Sequence, residues 1–266
     1  MLIISSREDF WDSETLSISD EIRDVVLDGE GLGEPIGQEE FINRLRNRRV
    51  LFLIHGYNNE EDDVVRAYDI IERNVSAYLG NMYDEIVGYT WPGGDDRFDY
   101  FSAKTRSGAV APRVRRWLRD IVYVAQALDI MDHSMGTRVS FTALKDPRAS
   151  RVRNLFNMAS AVDNECIQWR EKYYPATQNC ETLYVFHSRN DDVLRSAYVF
   201  AHWDRALGYS GPEDPAVIME HSPNVKVVNC KNVIQEHGDY KYSEEIYQFI
   251  GRELLDKTAS QYSTLE

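Results

Sequence analysis

Six short apolar runs recur along the chain: "VLFLIH" at 50–55, "EIVGYT" at 85–90, "LDIMD" at 128–132, "RNLFNMA" at 153–159, "TLYVFH" at 182–187 and "VKVVNC" at 225–230. Each is rich in Val, Ile, Leu or Phe and bounded by turn residues, the pattern of a strand buried on both faces. Between them, apolar positions repeat at helical spacing and predict helices over 60–79, 108–127, 134–146, 164–174 and 192–206, with a last one near 241–256. Strand and helix therefore alternate, which predicts an α/β fold: a mostly parallel central sheet with helices on both faces, a three-layer sandwich. Ahead of this region, "LIIS" and "RDVVLD" predict an antiparallel edge pair. It leads through the glycine-bearing turn "DGEGLGEPIG" into a helix over 38–48.

No repeat, low-complexity tract or linker interrupts the 266 residues, so we expect one domain over 1–266: edge strands and a helix in 1–49, a core over 50–255, and no separate cap domain. The longest polar connection, 208–224, reads as an excursion within that domain. A hydrophobic content of 43% beside 28% charged residues is that of a soluble globule. No apolar run approaches the roughly 18 residues of a membrane helix, so no membrane insertion is expected. The opening lacks a basic leader. Cys166, Cys180 and Cys230 have no CxxC spacing, which argues against a disulfide framework or structural zinc and fits a cytoplasmic protein. A net charge of −14 repels nucleic acid and anionic membrane. The local exception, "RVRRWLR" at 113–119, reads as the wet face of a helix whose Val114, Trp117 and Leu118 turn inward. The glycine-bearing loop lacks the Lys-Ser/Thr ending of a phosphate loop and carries Glu30 and Glu34.

Candidate chemistry starts at "DIMDHSMGTRVSF", 129–141. Ser134 follows an apolar strand and opens a helical segment, where a tight turn can raise its hydroxyl above the sheet beside the free N–H groups of a helix N-terminus. Met135 would supply one N–H to an oxyanion, and Gly136 would let the turn pack closely. A serine nucleophile needs a base, itself best held by a carboxylate. "TLYVFHSRNDDVL" offers Asp191 and Asp192 just past a strand, and "VKVVNCKNVIQEHGDY" offers His237 in the loop before the final helix. His55 and His187 lie at strand ends before these acids, His133 within the turn, His202 in a helical segment and His221 in the excursion. A second oxyanion donor would come from "VLFLIHGYNN", where His55-Gly56 turns the chain and the Tyr57 N–H can point at the same place.

These residues together resemble α/β hydrolases, in particular the uncharacterised serine-hydrolase family labelled domain of unknown function 900. The resemblance covers about 50–255 and rests on "FLIHGYNN", "YTWPGGDDRFDY", "HSMGTRV", "SRNDDVL", "RALGYSG" and "EHGDY". It implies the α/β-hydrolase fold, with Ser134 as nucleophile, His237 as base and Asp191 as acid. Asp191 is preferred over Asp192 because the family pattern reads Ser-x-x-Asp with a small or apolar residue two places on, here Ser188, Asp191 and Val193. The Trp91-Pro92-Gly93 segment and Tyr100 would lie near the mouth of the site, where aromatics could line an acyl pocket. Two departures are notable. Asp132 stands two before the serine, where such turns mostly carry Gly or Ala, and residues 1–49 lie outside the resemblance.

The expectation is a serine hydrolase acting on a small-molecule carboxylic ester, with no cofactor and no metal, since no HExxH or Cys/His cluster is present. The same triad would serve an amidase, a peptidase or an acyltransferase. An inactive elbow would leave a non-catalytic binding protein.

Overall fold

The computed structural model describes residues 1–27, 31–57, 59–94, 100–198 and 204–266. In chain order its strands are β1 (Leu2–Arg7), β2 (Leu16–Val25), β3 (Leu32–Pro35), β4 (Arg49–Ile54), β5 (Glu85–Thr90), β6 (Ala127–His133), β7 (Val152–Met158), β8 (Cys180–His187), β9 (Val225–Asn229) and β10 (Tyr262–Thr264). They join into one sheet in the order β10-β9-β8-β7-β6-β4-β5-β1-β2-β3. Pairing is parallel from β10 through to β1 and antiparallel for β1–β2 and β2–β3.

Successive side chains of a strand leave opposite faces, and β4 shows the result. Val50, Phe52 and Ile54 pack into one core with Phe41 of helix α1 (Gln38–Arg44). The same core takes Val110, Val114 and Leu118 from the helix preceding β6, and Val139 and Phe141 from the helix following it. Leu51 and Leu53 enter a second core with Val64 and Tyr68 of helix α2 (Glu61–Asn74) and with Ile246 and Ile250 of the C-terminal helix Glu244–Asp256. The fold is the α/β-hydrolase three-layer arrangement. It follows from strands that are apolar on both faces and must be covered twice.

Helix α3 (Tyr100–Val124) begins eight residues ahead of the predicted start, its Pro112 notwithstanding. Val114, Trp117 and Leu118 are buried as the pattern required. Arg113 does not simply face water: it donates to Asp20 Oδ1 at 2.9 Å and to Ser17 O at 2.6 Å, fastening β2 to α3.

Elsewhere the structure corrects the sequence reading. The pair β1–β2 is antiparallel, but β1 is interior, lying parallel to β5, and the edge strand is β3, cut from the segment read as a turn. Residues 164–172 form turns rather than a helix. Only Tyr174–Gln178 is helical, because Cys166, Ile167 and Tyr173 are buried from a chain that folds back on itself, Tyr173 N–H meeting Cys166 O at 2.7 Å. The excursion 208–224 holds the helix Pro215–His221, started by Asp214, whose carboxylate caps Ala216 N and Val217 N. Of the helix expected over 192–206, a one-turn π segment is seen at Leu194–Tyr198, and 199–203, with His202, lie outside the described residues.

Asp20 holds the N-terminal sheet to the body, accepting from Arg113 and from Trp117 Nε1 at 2.6 Å while its own side chain is 6% exposed. Asp20→Ala leaves Trp117 Nε1 without its acceptor and Arg113 with backbone acceptors only, and is expected to lower unfolding free energy in urea by about 2 kcal/mol. Asp20→Asn, which keeps one acceptor, should lower it less.

Candidate active site

Between β6 and α4 (Gly136–Leu144), Ser134 takes a left-handed backbone, φ 55°. For a residue with a Cβ that conformation costs on the order of 1–3 kcal/mol, so the surroundings must hold it. Ser134 N–H donates to Met158 O at 2.9 Å, and Ser134 O accepts from Thr137 N at 3.2 Å and Ala161 N at 3.1 Å. Gly136 has to be glycine: a Cβ there would lie 2.6 Å from Ile54 O and 2.7 Å from His55 O, so α4 starts directly against the end of β4. Gly56 is constrained from the other side, where a Cβ would come within 2.9 Å of the Ser134 Cβ. Met135 is the N-cap of α4, and its N–H is one of those the first turn of a helix leaves without an intrahelical acceptor.

The two adjacent acids are sorted by their surroundings. Asp191 is fully buried; its Oδ1 accepts from Leu194 N at 2.9 Å and its Oδ2 lies 2.7 Å from His237 Nδ1. Asp192, with its side chain 82% exposed, pairs with Arg195 at the surface. The loop carrying His237 is tied to both neighbours. Ser188 Oγ donates to Ile234 O at 3.0 Å, and His133 Nε2 donates to His237 O at 2.9 Å. Burial, and then the neighbouring His237, push the His133 imidazole down to about 3, so it stays neutral and keeps the Nε2–H that this bond needs. His133 thus fixes the His237 loop, a contact that its place within the turn does not reveal in the sequence.

The loop after β4 is built around His55. Its Nε2 accepts from Trp91 N at 3.1 Å, which leaves the proton on Nδ1, 2.8 Å from Gly56 O. Trp91 is fully buried, stacks on His55 and donates its indole N–H to His55 O at 3.0 Å. Trp91 therefore packs the loop and does not line the mouth of the site. Tyr100 does line it, its ring edge against Tyr57. Residues 95–99 of the motif, and Asn58, lie outside the described residues.

A cavity of about 940 Å³ opens where these elements meet, and Ser134, Met135, His237 and Tyr57 all line it. Asp191 stands behind His237. The rest of its wall is largely apolar, with Leu53, Ile71, Met131, Met158 and Leu194. Among the described residues no cluster of metal-ligating side chains occurs.

A family described as "Alpha/beta hydrolase of unknown function (DUF900)" matches residues 36–253. The chain belongs to that family. No curated protein matches it. Among solved structures, an uncharacterised protein from Bacillus cereus ATCC 10987 aligns at 12% identity and a TM-score of 0.51, over 86% of this chain and 65% of that one. The Pyrococcus furiosus esterase Pf2001 aligns at 13% identity and 0.46, over 79% and 83%. At these identities the likeness is one of fold.

In this alpha/beta hydrolase the elbow accommodates Asp132 by turning it away from Ser134. Strand alternation places Asp132 on the α4 face of β6, where it is 1% exposed. Its Oδ1 accepts from Thr137 Oγ1 at 2.6 Å and Asn157 Nδ2 at 2.9 Å. Its Oδ2 accepts from Asn157 Nδ2 at 2.7 Å and from Ser140 Oγ. The carboxylate ties β7 and the first two turns of α4 to β6. Burial outweighs the hydroxyl and amide donors and pushes its carboxyl up to about 6.

A carboxyl whose folded value is raised favours the folded state fully below its unfolded value, and that contribution is lost as pH rises through the folded one. For Asp132 the window runs from about pH 4 to about pH 6. The stability of the native chain minus that of Asp132→Asn should therefore decline by up to about 3 kcal/mol between pH 4 and pH 7. Urea titrations across that range check it, and a difference that does not change with pH contradicts it.

Proposed function

We propose that the protein is a cytoplasmic serine hydrolase that cleaves carboxylic esters through an acyl-enzyme, with Ser134, His237 and Asp191 as its triad. The observation that carries this reading is the 2.7 Å contact between His237 Nδ1 and buried Asp191, beside a cavity that Ser134 and His237 share. A carboxylate on Nδ1 holds the imidazole in the tautomer whose Nε2 can take a proton, and it stabilises the cation that results.

In the first half-reaction Ser134 Oγ attacks the acyl carbon while its proton passes to His237 Nε2. The Tyr57 and Met135 N–H groups hold the oxyanion. When the tetrahedral species collapses, the bond to the alkoxy oxygen breaks and His237 returns the proton to it, releasing the alcohol. In the second, water attacks the acyl-serine, giving its proton to His237, and the acid leaves as Ser134 recovers a proton. A volume of about 940 Å³ with mostly apolar walls suits a small-molecule acyl group.

Covalent labelling by a fluorophosphonate tests the reading. The native protein should label and should hydrolyse p-nitrophenyl esters, and Ser134→Ala should do neither. A folded native protein that takes no label contradicts the proposal. For the acid, Asp191→Asn should lower kcat by about 10⁴-fold, since the wrong imidazole tautomer is then favoured. Asp192→Asn should leave kcat near the native value, because Asp192 lies at the surface and pairs with Arg195. Steady-state kinetics on one ester separate the two.

A further inference from the structure

Arg7, the last residue of β1, is 2% exposed and lies outside the matched family region. Its guanidinium forms no ion pair with a carboxylate among the described residues. Instead Nε donates to Trp91 O at 3.0 Å, Nη1 to Trp11 O at 3.2 Å, and Nη2 to Asn59 O at 2.9 Å and His55 Nε2 at 3.1 Å. Burying an arginine against neutral acceptors alone is unfavourable, and desolvation pulls its value down to about 10. A hydrophobic residue would fill a sheet interior at less expense, so the fork's geometry needs a reason.

The segments it joins supply one. Trp91 and Asn59 flank the donor loop on either side, and His55 begins it. The Trp91 N–H makes Nε2 the acceptor, so the proton lies on Nδ1 and holds Gly56 O at 2.8 Å; Arg7 Nη2 and Thr90 Oγ1, each 3.1 Å from Nε2, hold the ring in that place. The C=O and N–H of a trans peptide point in opposite directions. Fixing Gly56 O toward His55 therefore turns the Tyr57 N–H away from it, while Gly56 itself abuts the Ser134 Cβ.

We propose that Arg7 is a positioning residue of the site: its guanidinium ties His55 Nε2, Trp91 O and Asn59 O together, holding the His55 ring and the Asn59 end of the loop, and through them aims the Tyr57 N–H at the oxyanion. This rests on the serine-hydrolase reading above. It makes the N-terminal strand, outside the family core, part of the transition-state apparatus. The neutral state of His55 agrees with this, burial and then the Arg7 charge holding its imidazole well below the usual range.

Arg7→Met and Arg7→Lys test it, with p-nitrophenyl ester kinetics and with two inhibitors. One is an alkyl trifluoromethyl ketone, whose carbonyl carbon takes the Ser134 oxygen and whose carbonyl oxygen becomes an oxyanion. The other is the matching secondary alcohol, which forms no adduct. In Arg7→Met, kcat and ketone affinity should both fall by about 10²-fold, as when an oxyanion donor is lost, with KM and alcohol affinity little changed. Arg7→Lys keeps the charge but cannot span the same acceptors, and it should show the same split. If Arg7→Met does not fold, the lysine variant carries the same readout. Melting temperatures that drop while kcat and ketone affinity stay native at a temperature where the variants are folded would overturn the proposal. A native protein that neither labels nor hydrolyses esters would overturn the functional reading beneath it.

Discussion

The first turn of α4 must begin in van der Waals contact with the last carbonyls of β4, and most of the site follows from that approach. It leaves no room for a Cβ at residue 136 or at residue 56. It also forces the chain to turn within one residue, so Ser134 adopts a left-handed backbone and lifts its side chain clear of the sheet. Because β4 and β6 are adjacent and parallel, with Ile54 opposite Asp132, the loops that leave them emerge side by side at the same end of the sheet. Tyr57 and Met135 therefore reach one cavity although 77 residues separate them in the chain.

A turn under that constraint is held by polar groups kept away from water. Asp132 binds the hydroxyls of α4 and the amide of Asn157, His133 clasps the His237 loop, and His55 and Arg7 brace the loop after β4. Asp132, His55 and Arg7 give up hydration and each is satisfied by several partners, which is the condition under which burying it is tolerable. The Asp191 loop follows the same logic. Both Asp191 oxygens are engaged, and Asn190 Nδ2 reaches across to Lys231 O at 2.7 Å, so the loops that carry Asp191 and His237 are fixed to each other.

Local patterning decided the elements it could decide. The six apolar runs became β4 to β9 within a residue or two, because a strand covered on both faces must be apolar at nearly every position. The segment 164–174 misled for a complementary reason. Its buried Cys166, Ile167 and Tyr173 fit a helical period, yet the burial is met by successive turns against α4 and Leu207, a choice made by neighbours distant in sequence. Likewise "LIISSR" carries no sign that its arginine will be buried, since only the pairing of β1 with β5 carries it inward to Trp91 and His55.

The sequence by itself determined the six core strands β4 to β9, the turn that bears Ser134, and the candidate acid and base past later strands, because periodicity and spacing are properties of the chain alone. Tertiary structure decided which of two adjacent aspartates meets the histidine, where Asp132 could be satisfied, and that residue 7 would brace a loop at residues 55–59. These depend on which face a side chain leaves and which element lies beside it, and for the strand residues Asp132 and Arg7 a one-residue change in pairing register would reverse the outcome.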